Sequence, residues 1–277
     1  MPSGGRRLAR RRLDGLARPP GAYLQLGPET GPPIVLLHGF TGDLLTWQFS
    51  LIPLAAHHKV VALDLPGHGH STLDVADGRL DAMVAWVWEA LDAIGVDCAH
   101  MVGHSMGGKI AMGLALAAPE RVLSLSLVAP AGLGTFYDKP FLADLISVRN
   151  LDQAQALVPR LAVRADLYGD TLARALLLAV EPADRRRALE RLLTAVVTDR
   201  IQEAEDPVPW ARLPRPIQFI WGAADTVIPP PDAKWRPADA PFHLLPGVGH
   251  LPQLEASAEV NRLVLALAGS VSKEKAA

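Results

Sequence analysis

Short, unbroken apolar runs alternate with helical stretches through the first half of the chain. Ile34–Leu37 is introduced by Pro32 and Pro33 and ended by His38-Gly39, which predicts a short buried strand. Val60–Leu63 predicts a second, closed by Asp64 and the turn Pro66-Gly67. Asp81–Ile94 has helical spacing and stops at Gly95. Ala99–Val102 reads as a third strand, Ser105–Ala118 as a helix closed by Pro119, and Val122–Val128 as a fourth strand. Continuous apolar strands separated by helices indicate a parallel sheet covered on both faces.

The pattern then changes. From about Phe136 to Trp210 no strand-like run occurs, and amphipathic segments such as Asp152–Val163, Thr171–Val180 and Asp184–Val197 predict helices. Strand–helix alternation resumes with Ile217–Trp221, Phe242–Leu245 and a closing helix near Ala256–Leu267. An insertion of roughly 70 residues is too long for a plain loop. A sheet that resumes after it predicts a helical cap on the ligand edge, at the carboxyl ends of the strands. The expected organisation is a basic arm (1–20), a core in two pieces (21–132 and 211–277) and a cap (133–210).

Composition narrows the class. The chain has 277 residues, 49% hydrophobic and 20% charged, long enough to bury a substantial core. One cysteine excludes a disulfide framework or a thiolate metal cluster. The longest apolar stretch, near Ile110–Pro119, is far short of the roughly 18 residues of a membrane span. A net charge of -2 carries no nucleic-acid signature. Residues 1–20 hold Arg6, Arg7, Arg10, Arg11, Arg12 and Arg18 against Asp14 alone, which reads as a solvated leader to the first strand. No apolar segment of a secretory signal follows the arginines, so a cytoplasmic protein is expected.

Chemistry enters at Gly103-His104-Ser105-Met106-Gly107, a G-x-S-x-G sequence set between an apolar strand and a helix. That strand–turn–helix setting holds a serine on a tight turn, and the flanking glycines let strand and helix approach. A serine hydroxyl needs a base, and the base an orienting acid. His250, in the loop Gly247-Val248-Gly249-His250, is the base candidate. Asp225, after the strand Ile217–Trp221, fits the chain order Ser, Asp, His. The alternative acid position, Ala129-Pro130-Ala131-Gly132, holds no carboxylate. The backbone N–H groups of Met106 and Phe40 are the candidate oxyanion donors, and His38 is expected to brace its loop by hydrogen bonds.

Other features read as structural. His68 and His70 lack a completing ligand set and are expected in a strand-end turn. His57 and His58 are expected to face solvent and Cys98 to be semi-buried. Lys109 is expected to solvate its helix, and Arg185, Arg186 and Arg187 to form a solvated face. The glycine-rich segments match no phosphate-binding loop.

With these residues in hand, the chain resembles the α/β-hydrolase superfamily over roughly Gly21–Ala268. The markers are His38-Gly39-Phe40, Asp64-Leu65-Pro66-Gly67-His68-Gly69, Gly103 to Gly108, Trp221-Gly222 with Asp225, and Gly249-His250. The resemblance implies an α/β fold with an eight-stranded, mostly parallel sheet, helices on both faces and a helical cap after the sixth strand. It also implies a triad of Ser105, Asp225 and His250 with Phe40 and Met106 as oxyanion donors.

The segments His38 to Asp43, Ala129 to Gly134 and Leu245 to Glu255 are similar to the hydrolase-like domain of acetoin dehydrogenase E2 components. Those proteins usually carry an N-terminal lipoyl domain, for which there is no room before Gly21. The expectation is therefore a stand-alone relative that hydrolyses an ester or thioester. A weaker resemblance to C–C bond hydrolases of aromatic catabolism is marred by Leu251, where those enzymes place tryptophan. Epoxide hydrolases and haloalkane dehalogenases need a carboxylate where Ser105 stands, and perhydrolases favour tryptophan at the place of Phe40.

The resulting expectation is a serine hydrolase that cleaves a small-to-medium acyl ester or thioester through an acyl-enzyme. Its partner is a small-molecule acyl substrate, with no nucleic acid, membrane, metal or organic cofactor. Trp47, Leu133, Phe136 and Phe141 are candidate pocket residues, and their apolar character favours an uncharged acyl group. The alternatives are a C–C hydrolase, for which an inward arginine such as Arg200 is expected, and a non-enzymatic ligand-sensing module of the same fold.

Overall fold

A computed structural model describes residues 10–13, 21–133, 138–198, 208–214 and 216–274. Eight strands form one sheet: β1 (Arg11–Leu13), β2 (Gly21–Leu26), β3 (Ile34–Leu37), β4 (Val60–Asp64), β5 (Ala99–His104), β6 (Val122–Val128), β7 (Ile217–Gly222) and β8 (Phe242–Leu245). Their spatial order is β1-β2-β4-β3-β5-β6-β7-β8. β2 runs antiparallel to β1 and β4, and the remaining pairs are parallel. The fold class is thus the expected eight-stranded α/β sheet.

Parallel neighbours require crossovers, and helices supply them. The helices α1 (Gln48–Ala55), α2 (Leu80–Ala93) and α3 (Met106–Ala117) follow β3, β4 and β5, and α8 (Pro252–Glu255) and α9 (Ser257–Glu274) follow β8. Side chains alternate across β3: Val35 and Leu37 pack with α2 and α3, whereas Ile34 and Leu36 pack with α1 and α9. Two cores therefore sandwich the sheet, which is why β3 reads as a continuous apolar run rather than an alternating one.

The chain leaves β3 toward β4 on one side, and after β5 it moves toward β6 on the other. That reversal opens a crevice at the carboxyl ends of β3 and β5. Among the described residues between β6 and β7 lie the α-helices α4 (Lys139–Ser147), α5 (Leu151–Leu161), α6 (Ala165–Val180) and α7 (Ala183–Thr198). Side chains of Asp138 and Asn150 cap α4 and α5 by accepting from the amides of Phe141 and Gln153.

The structure departs from the sequence reading in three places. Residues 11–13 of the basic arm are not a solvated leader but the edge strand β1, paired with β2 through Leu13 and Gly21. Arg10 beside it pairs with Asp43 at 2.5 Å. The helix α1 was not visible as periodicity, because Pro53 interrupts it and its apolar residues are spread around it. Lys109 is buried rather than solvating its helix, since α3 is enclosed on nearly every side. Arg6, Arg7 and Arg18 lie outside the described residues.

Candidate active site

Ser105 stands between β5 and α3 with φ 51° and ψ −116°, a backbone conformation that costs of order 1–3 kcal/mol and must be held by its surroundings. Two backbone hydrogen bonds to the β6 segment hold it: Ser105 N donates to Val128 O at 3.0 Å, and Ser105 O accepts from Ala131 N at 3.0 Å. The turn closes only without side chains. A Cβ on Gly103 would overlap the Gly107 carbonyl, and one on Gly107 would overlap the Leu37 carbonyl. One on Gly39 would come within 2.7 Å of His104 Nδ1.

His250 lies in the loop after β8 and Asp225 in the loop after β7. Asp225 Oδ2 is 2.8 Å from His250 Nδ1, and both side chains are buried. Asp225 Oδ1 accepts the amides of Val227 and Ile228, each at 2.9 Å. A carboxylate already receiving two donors is an acceptor toward the ring as well, so Nδ1 is the donor in this contact and Nε2 is the ring nitrogen turned away from Asp225. Ser105 and His250 line one cavity.

Phe40, in the loop after β3, lines the same cavity. Met106 is the first residue of α3, so its amide has no intrahelical acceptor. His38 is buried, with Nδ1 2.8 Å from Gly39 O and Nε2 accepting from Leu65 N at 3.0 Å. It therefore links the β3 and β4 loops. Burial lowers its pKa, as it does for His104, whose pKa lies well below the ordinary imidazole value. A neutral His104 donates Nε2–H to the His250 carbonyl at 2.7 Å.

Asp64, fully buried at the end of β4, organises the cavity's other side. It accepts from Leu44 N and His70 N at 2.8 Å each, with Arg10 Nε at 3.4 Å. A Cβ on Gly69 would strike its carboxylate, which explains that glycine in Asp64-Leu65-Pro66-Gly67-His68-Gly69. His68 Nδ1 meets Pro66 O at 2.9 Å inside the same turn. Cys98 is half-buried. His57 is exposed, whereas His58 is half-buried against the His100 ring.

The cavity has a volume of about 600 Å³ and is lined on its helical side by Phe141, Leu145, Leu161, Leu172 and Leu176. Of the four sequence-derived pocket residues, Phe141 lines it. Trp47 instead packs in the core formed by α1 and α9, and Leu133 in the opposite core. Phe136 and Arg200 lie outside the described residues. The arginine triplet is not one solvated face. Arg185 reaches Gly69 O at 2.7 Å and lines the cavity, Arg186 bonds Ile146 O at 2.9 Å, and Arg187 pairs with Asp184 on the surface. Arg10, Asp43 and Arg185 are charged residues of the cavity lining that sequence reasoning did not assign to it.

Residues 32–257 match the family model of the alpha/beta hydrolase fold, and the chain belongs to that family. It is 36% identical over 252 residues to the dihydrolipoyllysine-residue acetyltransferase component of the acetoin cleaving system of Pseudomonas putida. That match covers 88% of this chain and 65% of the relative. The Cupriavidus necator protein of the same name is 34% identical over 86% of this chain and 63% of its own length. The chain thus spans somewhat under two thirds of the length of these relatives. A crystal structure of a bacterial membrane phospholipase A superposes with TM-score 0.78 and 27% identity, covering 96% of this chain and 87% of that one. A meta-cleavage product hydrolase from Pseudomonas fluorescens shares the fold at TM-score 0.81 and 23% identity, over 95% and 98% of the two chains. Among the described residues no helix is long and apolar enough to cross a membrane.

Proposed function

We propose that the protein is a cytoplasmic serine hydrolase that cleaves a small-to-medium acyl ester or thioester. The observation that carries this reading is the Asp225–His250 pair at 2.8 Å, whose His250 lines one cavity with Ser105 on its strained strand-to-helix turn. Ser105 Oγ attacks the carbonyl carbon while His250 Nε2 takes its proton. Asp225 keeps Nδ1 protonated and stabilises the imidazolium. The Met106 and Phe40 amides receive the developing oxyanion, each worth roughly 3–4 kcal/mol in the transition state. His250 then returns the proton to the leaving alcohol or thiol. In the second half it draws a proton from water as the water oxygen attacks the acyl carbon, then hands that proton to Ser105 Oγ as the ester bond breaks, releasing the acid and restoring Ser105.

Helices α4–α7 act as the cap, and their leucine-rich cavity wall supports an uncharged acyl group as substrate. The test is hydrolysis of p-nitrophenyl esters, acetate through octanoate, by wild type and Ser105→Ala. Turnover that disappears in the variant is the expected result, and the chain-length optimum sizes the acyl site. No turnover of any ester overturns the esterase reading. A second reading, C–C bond hydrolysis of a dienoic diketone-type acid, is favoured by Arg185 on the cavity wall. Turnover of such an acid without ester turnover selects it.

A further inference from the structure

The segment between α5 and α6 lies directly against the His250 loop. It presents two backbone groups that helix ends leave without intrahelical partners: a carbonyl from the last turn of α5 and an amide at the start of α6. Both are taken up beside His250. The Leu161 carbonyl accepts the His250 amide at 3.0 Å. The Arg164 amide donates to Glu255 Oε2 at 3.0 Å, and Glu255 Oε1 accepts the Gly249 amide at 2.8 Å. One carboxylate therefore joins the segment to the residue preceding His250. Gly249 permits this closeness, because a Cβ there would lie 3.1 Å from Leu161 O and 3.3 Å from Val163 N.

The same end of α5 also reaches the loop that carries Asp225. Arg160 donates to Thr226 Oγ1 at 3.1 Å and to Thr226 O at 3.2 Å, next to Asp225. It pairs with Asp138 at 2.6 Å, and the Asp138 amide donates to Val227 O at 3.3 Å. Arg160 thus ties the Asp225 loop to the start of α4, while Leu161 and Arg164 tie the His250 loop to α5 and α6.

We propose that residues 160–164 form a strap that sets the position of His250 against Asp225, with Glu255 and Arg160 as its positioning residues. The proposal rests on the serine-hydrolase reading. Leu161 gives it a consequence for substrate selection. Leu161 lines the cavity and its carbonyl holds the His250 amide, so an acyl group that displaces Leu161 displaces the base. The strap thereby couples the filling of the cavity to the alignment of the proton acceptor.

The test uses the full chain and two variants. Glu255→Gln keeps size but supplies one acceptor oxygen, so either Gly249 N or Arg164 N faces an NH₂ group. Arg160→Met removes the two Thr226 bonds together with the Asp138 pair and leaves the Glu255 bonds in place. Three readouts are taken: steady-state kcat and KM on p-nitrophenyl esters, the rate of inactivation by a fluorophosphonate, and the low-field proton resonance of His250 Nδ1–H. That resonance is assigned by its loss in Asp225→Asn.

For Glu255→Gln, kcat and the inactivation rate are expected to fall about 10- to 100-fold with KM within about two-fold, as for a misplaced catalytic group. The low-field resonance is expected to shift or broaden. Arg160→Met is expected to show a smaller change of the same kind. A folded Glu255→Gln with wild-type kcat and an unchanged resonance overturns the strap. If that variant does not fold, wild-type behaviour of Arg160→Met overturns it instead. A wild type that neither turns over esters nor reacts with the fluorophosphonate overturns the hydrolase reading. The resonance still reports on the strap in that case.

Discussion

Asp225 divides its carboxylate between two tasks: Oδ2 lies 2.8 Å from His250 Nδ1, and Oδ1 receives the amides of Val227 and Ile228. The second task fixes the carboxylate's plane, so the first is geometrically defined before any substrate binds. Asp225→Asn would keep an acceptor oxygen for the two amides and turn an NH₂ toward the ring. The imidazole would then hold its proton on Nε2, where it cannot accept from Ser105. The expected loss in kcat is roughly 10³- to 10⁴-fold with the fold retained. Steady-state kinetics alongside a circular-dichroism melt check it, and activity within ten-fold of wild type contradicts the assigned tautomer.

Gly103 and Gly169 are both glycines within regular structure, yet they should respond oppositely to alanine. At Gly103 a Cβ meets the backbone of Gly107 and Gly108, which cannot move without opening the Ser105 turn. Gly103→Ala is expected to lose at least about 2 kcal/mol of stability, together with activity. Gly169 lies inside α6 with nothing within 4 Å of its Cβ position. Gly169→Ala is expected to gain about 0.5–1 kcal/mol, since alanine orders a helix at lower entropic cost. Urea denaturation of the two variants gives both signs directly.

Buried histidines set the acid limit of the fold. Burial, reinforced by the neighbouring His38, pushes the His68 pKa down to about 3, and His38 and His104 are lowered by burial as well. Above about pH 7.5, a unit over the ordinary histidine value, neither the folded nor the unfolded state appreciably protonates these rings, and their contribution is nearly constant. As pH falls from 6.5 toward 3, the unfolded chain binds protons that the folded chain excludes. Stability is then lost at up to about 1.4 kcal/mol per pH unit for each ring. Tm measured between pH 7.5 and 4.5 should fall toward acid, and less steeply in His68→Gln. Equal slopes would contradict the assignment of His68 as a buried neutral ring.

Much of this arrangement was legible in the chain. The buried strands announce themselves as apolar runs, and Gly103, Gly107 and the order Ser105, Asp225, His250 marked residues that the fold gathers into one region. What escaped depends on direction rather than on residue type. Trp47 is near the Phe40 loop in sequence, but the 3-10 turn Leu44–Trp47 aims both of its end residues into the α1–α9 core. Three successive arginines on a helix point about 100° apart, so one solvated face could not hold them all. That spacing was a usable signal for Arg185. Lys109 was readable too, because α3 has no polar face to place it on. The bonds from Glu255 to Arg164 and from Arg10 to Asp43 join residues 91 and 33 positions apart, and no local pattern encodes them.

We propose Ser105 as a nucleophile activated by His250. The most direct test is the intact mass of the protein after reaction with a fluorophosphonate, followed by peptide mapping. One phosphonyl adduct per chain, located on Ser105 and absent from Ser105→Ala and His250→Ala, is the predicted result. An unmodified wild type, or an adduct on another residue that persists in Ser105→Ala, would contradict it.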